Sequence, residues 1–188
     1  MRNGRERLDR SAWKGLAAGM IGGLVGAWMM NQYQTAEEKV SRTWEANNPR
    51  NKSANPRRQA GGEDGGSQNQ DDDATVKMAE LLSERVLHRQ LSQVEKKKAG
   101  PIVHYAYGAL AGGLYGMAAE VVPAVTKGGG TLYATTLFVG GDEIEVTALG
   151  LAKSPADYPL SSHANALASH LVYGVTTELG RRVARAIL

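Results

Sequence analysis

Eight ionisable side chains fall in stretches of this chain that are otherwise rich in Gly, Ala, Leu and Val: His104, Glu120, Asp142, Glu143, Glu145, His163, His170 and Glu178. The densest group is Gly140-Gly141-Asp142-Glu143-Ile144-Glu145, set inside the mainly apolar run 131–152. Apolar surroundings raise the pKa of a carboxyl and lower that of a histidine, which brings both toward neutrality. Such a group facing a polar cavity can relay a proton or hold a cation. At α-helical spacing Asp142 and Glu145 share a face with Phe138 and Leu149, whereas Glu143 points elsewhere. Glu120 and His170 lie deep in neighbouring apolar segments. Glu120, Asp142, Glu145 and His170 are therefore the leading proton- or cation-responsive candidates. His104, Glu143, His163 and Glu178 are secondary, being off that face or nearer segment ends. The plainer alternative is that these groups only hydrogen-bond helices together, at about 0.6–2 kcal/mol per contact.

Other chemistries find little support. The chain has no cysteine, hence no thiol nucleophile, disulfide or cysteine metal site. Carboxylates and histidines projecting from bundle helices can bind a metal, but the last three helical segments contain no Glu-x-x-His pair. No nucleophile elbow, phosphate-binding loop, dinucleotide fingerprint or zinc-protease motif is present. The reading is a non-enzyme with no catalytic residue, no metal ligand set and no cofactor. Net charge is +3 and the pI about 9.2, with small scattered basic clusters and few aromatics. That pattern argues against a nucleic-acid surface.

The elements carrying these residues follow from patterning. The mean hydropathy of −0.34 averages a very polar stretch, 35–98, with small and apolar flanks. A first helix is expected over 12–33. Its uncharged core, 15–30, is short against the roughly 20 residues of a membrane span, and Trp13, Trp28 and Tyr33 are placed to act as interfacial anchors. The basic start resembles a secretory leader, but the small residues sit inside the apolar stretch, so it reads as a retained helix. Gly15, Gly19 and Gly23, with Gly22 and Gly26, form rows that let helix backbones approach closely. A second apolar segment, 101–125, repeats the device with Gly108, Gly112 and Gly116, and Glu120 continues the row. The third is 131–152. The fourth, 161–179, carries His163, His170, Gly174, Thr177 and Glu178 in one stripe and ends at Arg181, Arg182 and Arg185.

Between the first two segments, 35–47 reads as a polar helical extension and 48–73 as a disordered linker that is nearly free of apolar residues. Residues 74–98 read as one amphipathic helix stopped by Gly100-Pro101. The expected fold is all-α: a transmembrane bundle of about four spans, with a disordered linker and one amphipathic helix. The expected divisions are 1–34, 35–73, 74–99 and 100–188. Basic residues at both ends suit a cytoplasmic placement of the termini. A compact soluble helical protein is the alternative.

Ala119-Glu120-Val121-Val122-Pro123, the loop with Pro155 and Pro159, Ser169-His170-Leu171-Val172-Tyr173, and Glu178 with Arg181-Arg182 resemble the YagU-type bacterial inner-membrane proteins, a family of unknown function. The resemblance covers roughly 105–185. It implies a multi-span helical protein of the bacterial inner membrane with a link to acid stress, and it supplies no catalytic residues. Glu120, His170 and Glu178 are the matching positions. Three functions are expected in turn: a small membrane protein responsive to protons or cations, a non-catalytic structural subunit of a membrane complex, or a metal-binding bundle. The expected partners are the lipid bilayer and a second copy or a complex subunit, without nucleic acid.

Overall fold

The computed structural model describes residues 2–47 and 74–188, and these are helices and turns with no strand among them. The linker expected at 48–73 lies outside the described residues. Helix α1 is Arg2–Asn47. Helix α2 is Ala74–Leu82, extended by a π-helical turn, Ser83–Leu87. Helix α3 is Gln93–Val121, and a 3-10 turn, Pro123–Thr126, follows it. Helix α4, Thr131–Leu137, runs on as a π-helix, Phe138–Glu145, and closes with an α-turn, Val146–Ala148. After a 3-10 turn, Pro155–Asp157, helix α5 spans Leu160–Ile187.

Among the described residues no helix is long and apolar enough to cross a membrane. This overturns the expected four-span transmembrane bundle, while the all-helical class stands. Helices α1, α3 and α5 have the length, at 46, 29 and 28 residues. Glycine dilutes their apolar runs, as do Ser, Asn, Thr, Tyr and His. The third expected segment is not one continuous α-helix: α4 has only 7 residues before the π-helix begins.

The chain forms two compact units. The first comprises Met1–Gln34, Tyr105–Phe138 and Leu167–Leu188; the second comprises Thr35–His104 and Val139–Ala166. In the first unit α1 and α3 run antiparallel, with Gly15, Gly19 and Gly23 set against Gly116, Gly112 and Gly108. The two backbones touch there. A Cβ on Gly112 would lie 2.7 Å from Gly23 Cα, and one on Gly116 would lie 2.7 Å from Gly19 Cα. Gly22 and Gly26 admit α5 in the same way, against Thr177, Arg181 and Tyr173. On α1 the buried stripe is Gly15, Ala18, Gly19, Gly22, Gly23, Gly26, Ala27 and Met30, at helical spacing. Its large apolar side chains, Trp13, Met20, Ile21, Leu24, Val25 and Trp28, are exposed. The usual polarity of a packed helix is reversed. Close approach selects the smallest residues for the interior and leaves the bulky ones outside.

In the second unit Ser92 and Glu95 form a capping box that starts α3. The Ser92 amide donates to Glu95 Oε2 at 2.9 Å, and the Glu95 amide donates to Ser92 Oγ at 3.4 Å. Arg89 holds the Glu95 carboxyl down to about 2, aided by the Ser92 donors. The helix expected over 74–98 is thus two helices. His88, at φ 52°, ends the π-helical turn, and α2 folds back antiparallel on the start of α3. Lys96 Nζ meets Glu80 Oε1 at 2.7 Å. Gly100 abuts Val76, where a Cβ would come within 2.8 Å of Val76 Cγ2. Gly100-Pro101 therefore stops nothing, and Pro101 lies inside α3. The turn at 146–151 closes with a Schellman motif: Leu151 N–H donates to the Val146 carbonyl, and Gly150 N–H, at φ 70°, donates to that of Thr147.

Candidate functional site

Glu178 is the most deeply placed charge among the described residues, at 1% exposure. The sequence places it near a segment end, so its burial is a correction. Four donors converge on its two oxygens. Tyr115 Oη donates to Oε2 at 2.9 Å, Arg181 Nε to Oε2 at 2.7 Å, Arg181 Nη2 to Oε1 at 3.0 Å, and Arg182 Nε to Oε1 at 2.6 Å. Burial alone would raise this carboxyl. The donations from Arg181, Arg182 and Tyr115 outweigh it and hold the carboxyl below its ordinary value. The Arg181 guanidinium also lies over the Tyr115 ring, 5.9 Å from its centroid.

A tyrosine ladder extends from this cluster. Tyr115 stacks on Tyr133 with centroids 4.2 Å apart. Tyr173 Oη donates to the Gly108 carbonyl at 2.7 Å, so the 3.2 Å contact between Tyr133 Oη and Tyr173 Oη has Tyr133 as donor. Burial pushes the phenols of Tyr115, Tyr133 and Tyr173 up, which keeps them protonated as donors.

Glu120 sits in the same unit with its own clamp. Arg185 Nε donates to Oε1 at 2.8 Å, Arg185 Nη2 to Oε2 at 3.3 Å, and the Ser11 hydroxyl donates to Oε2. Arg185 is the main reason that this carboxyl lies below its ordinary value. His170 is half-buried, its ring 5.9 Å from that of Phe138. Glu120 thus meets Arg185 and Ser11, and His170 meets Phe138.

The remaining candidates belong to the second unit. Asp142 and Glu145 are exposed, Glu143 is half-buried, and His104 is half-buried. The π-helix explains the change. Its i→i+5 hydrogen bonds widen the turn, so residues three apart no longer stack as they do in an α-helix. Glu143, which α-spacing turns away from the acid pair, meets a histidine: its Oε1 lies 2.7 Å from His163 Nδ1. His163 Nε2 lies 3.0 Å from the Pro155 carbonyl oxygen. Among the described residues no group of three or more His, Asp or Glu side chains could hold a metal ion.

The sequence-derived candidates leave out Tyr133 and Ser11, the roles of Tyr115 and Tyr173, and the pairing roles of Arg181, Arg182 and Arg185. The arginines had a legible signal, since Arg181 and Arg182 stand three and four residues beyond Glu178, the spacing of helix neighbours. Tyr115 had none, because its partner is 63 positions away.

The two clusters link helices: Glu178 ties α5 to α3 through Tyr115, and Glu120 of α3 meets Ser11 of α1 and Arg185 of α5. Each oxygen of Glu178 and of Glu120 accepts from donors within the chain. No curated protein and no solved structure matches the chain. A family model matches residues 72–179, which takes in α2 to most of α5 and leaves out α1. The chain belongs to that family, described as a protein of unknown function (DUF1440).

Proposed function

We propose that the chain is a non-catalytic helix-packing subunit that works against a bacterial inner membrane, its first unit held together as a glycine zipper and lying with its outer faces against lipid. The observation that carries the reading is the reversed polarity of that unit. Its interior is mainly glycine and alanine, with the tyrosines Tyr115 and Tyr173 and a neutralised set of charges. Its large apolar side chains point outward on three helices: Ile21, Leu24 and Trp28 on α1, Leu110, Leu114 and Val121 on α3, Leu179 and Val183 on α5. Water-exposed proteins rarely carry apolar surface on this scale without a partner for it. The reading asks for lipid against those faces and requires no helix to be a span.

Flotation of the full chain with phospholipid vesicles tests it. The chain is expected to rise with the vesicles, and the combined variant Leu24→Gln, Trp28→Gln, Leu114→Gln to rise less. A chain that stays at the bottom of the gradient, monomeric without detergent, overturns the reading.

A second reading, response to protons, is favoured by the Glu143–His163 pair alone. The carboxyls of Glu120 and Glu178 are held ionised by arginine, which makes them structural charges rather than groups poised near neutrality.

A further inference from the structure

We propose that His163 is a proton-operated clasp that closes the 139–166 segment when its ring is charged and releases it when the ring is neutral. Both ring nitrogens face atoms that accept. Nδ1 is 2.7 Å from Glu143 Oε1 and Nε2 is 3.0 Å from the Pro155 carbonyl oxygen. A neutral imidazole has a single N–H, so it can serve only one of these while the carboxylate is ionised; the imidazolium serves both. The three groups come from separate pieces of backbone. Glu143 lies in the π-helix, Pro155 opens the 3-10 turn, and His163 is in the first turn of α5. Losing the second N–H therefore frees one of the two backbone pieces from the ring and so parts it from the other.

The His163 ring faces Glu143, from the π-helix, and Tyr158, from the loop, whose ring meets it edge-on at 6.5 Å, and from α1 Glu37 reaches Asn165, two residues from His163, at 3.2 Å. Asp142 and Glu145 flank Glu143 on the π-helix, and Lys153 and Asp157 belong to the loop. Helix α5 adds no Asp, Glu, Lys or Arg before Glu178. The Glu143 hydrogen bond holds the imidazolium to higher pH than an ordinary histidine. The clasp is thus fully closed below the ordinary histidine value, about 6.5, and opens as pH rises through the raised value.

The inference is independent of lipid association and is tested on the full chain by two measurements. Nitrogen-15 NMR of the histidine rings is expected to find both nitrogens of His163 protonated at pH 6, with a midpoint higher than in Glu143→Gln. Amide exchange across 139–166, corrected for the intrinsic pH dependence, is expected to rise about two- to fivefold through that midpoint, the range set by a partly exposed ion pair. A neutral His163 tautomer at pH 6 overturns the clasp, and this result needs no variant. So does an unchanged midpoint in Glu143→Gln, or a raised midpoint with no change in exchange.

Discussion

The Tyr115 hydroxyl donates to Glu178 at 2.9 Å, joining α3 to α5 through a charge that is otherwise held only within its own helix. Arg181 and Arg182 neutralise Glu178 from three and four residues along the helix, each one turn away, and Tyr115 is what turns that local arrangement into a tertiary one. Removing an acceptor from a buried, paired set leaves charge without compensation, which is costlier than the pair is favourable.

Glu178→Gln is accordingly expected to lower unfolding free energy by about 3–5 kcal/mol, the cost of breaking a buried ion pair from one side. Tyr115→Phe removes a single hydrogen bond to a charged group and is expected to cost about 1.5–3 kcal/mol. Denaturant titration of both single variants and the double variant checks the coupling. If the two losses simply add, Tyr115 does not act through Glu178.

Stability is expected to fall on acidification. Glu120 and Glu178 have folded-state values below their unfolded ones. Their contribution is present above the ordinary glutamate value of about 4.3 and is lost as pH drops through the lowered folded values. Unfolding midpoints measured from pH 6 down to pH 2 should decline over that window. In Glu178→Gln the decline should be shallower. An unchanged slope would place the acid sensitivity elsewhere.

Gly19→Ala and Gly112→Ala should each destabilise despite alanine's better helix propensity. Alanine gains up to about 1 kcal/mol over glycine in a helix, but its methyl would overlap the opposing backbone, and overpacking of this kind costs about 1–3 kcal/mol. Gly140 is the control. It meets nothing within 4 Å of a Cβ, so Gly140→Ala should leave stability unchanged or raise it. Thermal unfolding of the three variants separates close packing from propensity.

Gly150→Ala should destabilise for a different reason. Gly150 has space around it but sits at φ 70° in the Schellman motif. A left-handed residue with a Cβ costs about 1–2 kcal/mol. Gly150→Asn, which tolerates that region better, should recover part of the loss in the same assay.

Much of the helical layout is written locally. The glycine rows at 15, 19, 23 and 108, 112, 116 announce close backbone contact by spacing alone, and Gly150 after Ala148-Leu149 marks a helix end. The split at 88–92 was also present to be read: Ser92 and Glu95 have capping-box spacing, but the apolar periodicity running through 74–98 masks it. Three things lacked a local signal. The π-helix at 138–145 contains no residue type that distinguishes it from an α-helix, so α-spacing does not carry over to its acids, and Glu143 meets His163. Tyr115 and Glu178 meet only once the chain is folded. Apolar runs of this length suggest spans, whereas the glycines that lower their hydropathy make backbone contact.

The meeting of α1 and α3 has a consequence for how this protein can vary. An interface of side chains can absorb a larger residue on one helix by accepting a smaller one opposite. Here both partners are glycine, and neither has an atom to surrender. A gain in size at Gly19 has no reciprocal at Gly112, so the two positions cannot trade volume, and the helices must either stay bare at that crossing or part along its whole length.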